Sequence, residues 1–165
     1  TKMALGLILT MPRIPQILYG TEILMHDTSK PGDHGLIRSD FPGGWKSDKT
    51  SGFDQSGLSN KQIEMQNFLR KLLNFRKNNE IIINGDTKHF APKDGVYLLS
   101  RKYSEETILI IINKNDSPYR LDLSRFAELN LDGKNLKNIV SEEIIEWNDE
   151  LIFNDQGILI LTTTF

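Results

Sequence analysis

The spacing of apolar residues changes character near residue 79, and this change constrains the fold more than any other feature of the chain. Before it, Met65, Phe68, Leu69 and Leu72 recur along one stripe, the interval that buries one face of a helix. After it, apolar residues come in short runs between turn residues, which predicts strands over 96–102, 108–112, 120–123, 136–140, 144–147, 151–153 and 158–163. Short strands at such spacing imply a sandwich or a small Greek-key barrel. Asn148-Asp149 and residues 154–157 have the composition of hairpin turns. Trp147 and Phe153 read as core residues of the sandwich rather than as an exposed binding platform. A domain boundary is therefore expected near Glu80, dividing the chain into 1–79 and 80–165.

The first part has its own order. Residues 2–11 are apolar nearly all round, which predicts a helix enclosed by neighbours on several sides, and Pro12 stops it. Residues 14–20, a short apolar run between Pro and Gly, predict a buried strand. One helix and one strand cannot close a sheet, so their partners are expected outside this chain, and the beginning within an apolar helix is expected to be a cut from a longer protein. Residues 25–57 are rich in Gly, Asp, Ser and Pro without a period, the mark of a long loop of the kind that carries function. Ser59 with Gln62 three residues on forms a capping box that opens a helix running to about Asn78, with Lys61, Arg70, Lys71 and Lys77 on its solvated side.

The composition excludes several function classes. A net charge of −2 gives no basic face for phosphate contacts, so nucleic acid is not an expected partner. The chain has no cysteine, which removes disulfides and thiolate ligands and leaves both a periplasmic and a cytoplasmic location open. The apolar stretch Met3 to Met11 is too short to insert across a membrane. His26, His34 and His89 lack metal-ligand spacing, and neither a Gly-rich phosphate loop nor a Gly-x-Ser-x-Gly elbow occurs. No metal and no cofactor are expected. Glu22, Asp27, Asp33 and Asp40 crowd one region, but the residues alone favour solvated loop charges over a catalytic pair.

Residues 3–25, MALGLILTMPRIPQILYGTEILM, resemble the seventh helix and eighth strand of the (β/α)8 barrel of the alpha-amylase family of glycoside hydrolases. Gly32-Asp33-His34-Gly35 and the run from Arg38 through Asp40-Phe41-Pro42-Gly43-Gly44-Trp45 resemble the loop after that strand in the neopullulanase and cyclomaltodextrinase branch. Leu72-Leu73-Asn74-Phe75-Arg76-Lys77 is similar to the end of the eighth barrel helix, and the β-rich remainder to the family's C-terminal sandwich. Arg13 stands where a Gly is usual, and Leu18 where a second Tyr is common.

The resemblance implies an α+β chain: the last helix, strand and helix of a (β/α)8 barrel, followed by an all-β C-terminal sandwich. It implies a parent enzyme that hydrolyses α-glucans such as maltodextrin, cyclodextrin or pullulan with retention, through a nucleophilic Asp and a general-acid Glu. Both fall upstream of residue 1, so the chain alone is expected to be inactive, with no catalytic residue of its own. Its expected contribution is to binding, since strand ends and their loops form the active-site face of such barrels. Asp33 and Arg38 are implied to hold hydroxyls of a glucose unit, with Trp45 as a weaker stacking residue. The other readings remain open: Arg38 tying the loop to Asp40 or to a carbonyl, Trp45 packed to pin the loop, and Glu22, Tyr19 and Gln16 either facing the cleft or bracing it. An apolar patch over residues 3–19 is expected to drive self-association of the isolated chain. The alternative is a self-sufficient sandwich module that binds carbohydrate or protein, with 1–79 as an appendage.

Overall fold

The computed structural model describes residues 1–26, 32–35, 38–77 and 79–165. The chain divides into two compact units, residues 1–14 with 71–165, and residues 15–70. That division follows packing, whereas the boundary near residue 80 follows the change in periodicity.

Among the described residues the larger unit contains eight strands: β1 (Asp86–Lys93), β2 (Val96–Tyr103), β3 (Glu106–Asn113), β4 (Tyr119–Asp122), β5 (Lys134–Asn138), β6 (Ile144–Trp147), β7 (Glu150–Phe153) and β8 (Gly157–Thr162). An antiparallel six-stranded sheet runs β1-β2-β3-β8-β5-β6, and β4 pairs with β7 in a second sheet. Leu98, Leu109, Ile111, Leu136, Trp147 and Leu161 of the first sheet share a core with Leu121, Leu151 and Phe153 of the second. Trp147 and Phe153 are thus core residues, 3% and 6% exposed.

The large sheet is covered on its other face as well. Helix α1 (Lys2–Thr10) lies on β8 and β3, and the short helix α3 (Glu80–Asn84) lies on β2 and β3. This explains why Ile108 to Ile111 form a continuous apolar run rather than an alternating one: β3 is central and buried on both faces. Gly6 is what lets α1 approach, since a Cβ there would stand 2.6 Å from Ile158 Cδ1. Two arginines tie the helices down. Arg76 donates to the carbonyls of Leu9 and Met11, both at 2.7 Å, and to that of Arg13, capping the C-terminal end of α1. Arg101, 1% exposed, donates to the carbonyls of Ile81, Ile82 and Gly85 at the end of α3 and to Thr87 Oγ1. Burial pushes the pKa of both guanidinium groups down, and Arg76 adds to the effect at Arg101.

Several elements differ from the sequence reading in this chain. Helix α1 is covered on one face, with Leu5 and Leu9 buried and Ile8 45% exposed. Residues 14–18 form no ladder, and Ile14 and Leu18 stand 95% and 74% exposed, because a strand forms only against a partner and none lies there among the described residues. Asn148-Asp149 and residues 154–157 are not hairpin turns: β7 pairs with β4, so each is a corner where the chain changes sheet. The tight turns are Asp94-Gly95, with both residues at positive φ, and Ser104-Glu105. Strand β5 ends at Asn138, whose side chain accepts from the Val140 and Ser141 amides and turns the chain early.

Helix α2 (Asn60–Lys77) follows its capping box, with the Gln62 side chain accepting from the Ser59 amide at 2.9 Å. Asn78, the expected end, lies outside the described residues. No helix among the described residues is long and apolar enough to cross a membrane.

Candidate functional site

Residues 15–70 carry the loop that the sequence marks for function. Asp33 and Arg38 are both bonded to Gly35. Asp33 Oδ1 accepts from the Gly35 amide at 3.1 Å, and the Gly35 carbonyl accepts from the Arg38 amide at 3.4 Å. The Arg38 side chain is exposed, and among the described residues it ties to neither Asp40 nor a backbone carbonyl. Of the carboxylate group, Glu22 lies in a 3-10 turn (Thr21–Ile23), Asp40 is exposed and Asp27 lies outside the described residues.

Trp45 belongs to a tighter structure. Asp48 Oδ2 accepts from the amides of Gly43, at 2.8 Å, and of Trp45, at 3.1 Å. Gly43 has φ +102, and a Cβ there would meet Ser51 Oγ at 2.5 Å, so the close return of the chain requires glycine. The Gly52 amide donates to the Pro42 carbonyl at 3.0 Å, and the Ser51 amide to the Ser56 carbonyl at 2.8 Å. Beneath the turn the rings of Phe41 and Phe53 meet edge-on, 5.2 Å apart. The indole itself is 66% exposed. The loop is therefore pinned by Asp48 and not by packing of Trp45.

The loop is also fastened to the first turns of α2. Gln66 Nε2 donates to the Gly52 carbonyl at 2.6 Å, and Gln66 Oε1 accepts from Gln55 Nε2 at 2.7 Å. Asp54 accepts from the Ser56 amide at 2.9 Å, and this bond, with hydroxyl contacts from Ser56 and Ser51, holds its carboxyl below the usual range. Tyr19 braces the loop, donating its hydroxyl to the Ser39 carbonyl at 3.0 Å, while Gln16 is exposed. The sequence reading missed Asp48, Ser51 and Gln66. The available signal was an Asp three residues after Trp45 in a Gly- and Ser-rich stretch, where short polar side chains bond nearby amides.

The arrangement offers a carboxylate and a guanidinium on residues both bonded to Gly35, and an indole exposed to solvent. Such groups bind: carboxylate and guanidinium serve several hydroxyls at once, and an indole stacks on an apolar ring face. Among the described residues no three His, Asp or Glu side chains converge as a metal site.

Residues 87–162 match the model of the cyclo-malto-dextrinase C-terminal domain family. A cyclomaltodextrin glucanotransferase of Geobacillus stearothermophilus is 26% identical over 115 residues, covering 70% of this chain and 14% of that protein. An alpha-amylase of Niallia circulans is 30% identical over 112 residues, covering 68% of this chain and 18% of its own length. The chain thus spans less than a fifth of these curated relatives. Among solved structures, an Anoxybacillus alpha-amylase superposes with a TM-score of 0.68 at 22% identity over 98% of this chain and 31% of its own. The cyclomaltodextrin glucanotransferase CldA does so with a TM-score of 0.65 at 18% identity, over 96% and 31%. Residues 87–162 therefore belong to the cyclo-malto-dextrinase C-terminal domain family, and the chain that carries them resembles the C-terminal portion of an alpha-amylase-family glycoside hydrolase.

Proposed function

We propose that this chain is the C-terminal part of a retaining α-glucan hydrolase of the alpha-amylase family, acting on maltodextrin, cyclodextrin or pullulan. In this reading residues 1–79 are the last helix, strand, loop and helix of the catalytic barrel, and residues 80–165 are its C-terminal sandwich. The supporting observation is the reach of the structural match: the superposition on the alpha-amylase takes in 98% of this chain, well beyond the sandwich. The nucleophile and general acid belong to the part of the barrel upstream, so the chain alone hydrolyses nothing. Its loop supplies binding: Asp33 and Arg38 hold the hydroxyls of one glucose unit, and Trp45 stacks on a neighbouring ring.

The unpaired stretch over residues 14–18 fits this reading, since a barrel strand needs the neighbours that the rest of the barrel provides. Ile8, Ile14 and Leu18 are exposed here, and the isolated chain self-associates through such apolar surface. Light scattering that finds a strict monomer at high concentration overturns that part.

The binding role is tested in the chain extended upstream through the rest of the barrel. Asp33→Ala and Arg38→Ala each raise KM for maltoheptaose about tenfold, the equivalent of one charged hydrogen bond, with a smaller change in kcat. An unchanged KM in both variants removes these residues from the site.

A further inference from the structure

A second concave region lies within the sandwich, apart from the loop of residues 15–70. It is a cleft of about 380 Å³ on the inner face of the six-stranded sheet, beside the 3-10 turn of residues 124–129. Its floor is a polar grid set by strand register. Asp86 faces Lys102, which faces Thr107; two residues along, Lys88 faces Ser100. Three adjacent strands make this grid about 10 Å wide.

The floor contains two largely buried residues, Ser100 and Thr107, whose hydroxyls have no protein partner among the described residues. Ser100 is 3% exposed and Thr107 is 5% exposed. Among the described residues neither side-chain oxygen has a hydrogen-bond partner, yet neither is sealed from solvent as Thr164 Oγ1 is. Both therefore open into the cleft. Hydroxyls that reach the cleft are bonded by water when it is empty, and a molecule in the cleft that offers both a partner takes the place of that water.

The charges select the kind of molecule. Lys88 is paired with Glu128 across the cleft, and Asp86 stands opposite Lys102 in register. Two cations and two anions leave no net charge to hold a phosphate or an ammonium ion. They leave donors and acceptors in near-equal number, which suits hydroxyl groups, since each is both. Leu129 is the apolar wall, and no aromatic face lines the cleft, so a ligand is held by hydrogen bonds rather than by stacking.

We propose that this cleft is a second binding site, one that takes a neutral polyhydroxyl ligand of one or two sugar rings. The site is formed wholly by residues 86–130, so it stands whether or not residues 1–79 belong to a catalytic barrel.

The test is an amide NMR titration of the whole chain with maltose and, separately, with inorganic phosphate. Maltose produces saturable shifts at residues 86–88, 100–107 and 128–130, and phosphate produces none there. The double substitution Ser100→Ala with Thr107→Val weakens maltose binding about tenfold, one neutral hydrogen bond lost from each position. If that variant does not fold, the exposed Lys102→Gln reads the same site and weakens binding several-fold. The proposal is overturned if maltose leaves these amides unshifted, if phosphate shifts them equally, or if binding survives the substitutions unchanged.

Discussion

In the sandwich, Leu109, Leu136 and Leu161 are wholly buried and carry the fold by apolar contact between two sheets. From Pro15 to Arg70 the buried apolar residues are few, chiefly Ile23, Met65, Phe68 and Leu69, and the loop keeps its shape through Asp48, Ser51, Asp54 and Gln66 bonded to backbone or neighbouring polar groups. The difference teaches where tolerance lies. A packed sheet fails when a side chain loses volume, whereas a hydrogen-bonded loop fails when a single acceptor or glycine is lost, and its failure stays local.

Substitutions sharpen this contrast, beginning with the largest effect. Arg101→Met removes the donors to three carbonyls in the sandwich unit and should cost about 3 kcal/mol in urea unfolding; a loss below about 1 kcal/mol would show that water replaces it readily. Leu109→Ala should cost about the same by leaving a cavity, while Phe53→Ala, whose ring is 72% exposed, should leave global unfolding almost unchanged. Gly52→Ala would place a Cβ 2.4 Å from the Phe41 ring, and about 1–2 kcal/mol of local strain should appear as faster amide exchange over residues 41–56. Exchange that spreads equally into the sheet would break the distinction between the regions.

A smaller effect of opposite sign is expected at Arg13. Its φ of +84 strains a non-glycine residue, so Arg13→Gly should stabilise the chain by about 1 kcal/mol in the same assay. Acid should affect both regions weakly. Asp54 in the loop, Asp122 and Glu142 in the sandwich all have carboxyls held below their ordinary values, by hydrogen bonds from Ser56, Ser124 and Lys71 respectively. A depressed folded-state pKa contributes stability above the unfolded value, near about 4, and loses it as pH falls through the folded value. The unfolding midpoint should therefore decline only below about pH 4.

The two regions also differ in how much of them can be read from the sequence. The run Ile108 to Ile112 and the alternation around Leu151 and Phe153 announce strands because burial imposes a pattern on them. Strand β1 escaped because it is an edge strand: Phe90 is its one buried residue, and Pro92 within it argues against a strand. Helix α3 was equally hidden, although Asn79 accepts from the amides of Ile81 and Ile82 as an N-cap. Asp94-Gly95 was a legible turn signal that went unread. In the loop, motif strings marked Asp33, Arg38 and Trp45, yet no periodicity records that Asp48 holds the Trp45 amide or that the indole faces solvent. Such networks depend on where the chain returns, and single-residue spacing does not encode that. Arg13 is an intermediate case: a residue standing where glycine is usual, at a position that does adopt a glycine-like φ.

The most direct test of the functional account is release of reducing sugar from maltoheptaose and β-cyclodextrin by this chain, measured beside the same chain extended upstream through the rest of the barrel. The account predicts hydrolysis by the extended protein and none by the chain alone. Hydrolysis by the chain alone would contradict it, and would move the search for catalytic carboxylates to the stretch between Glu22 and Asp40.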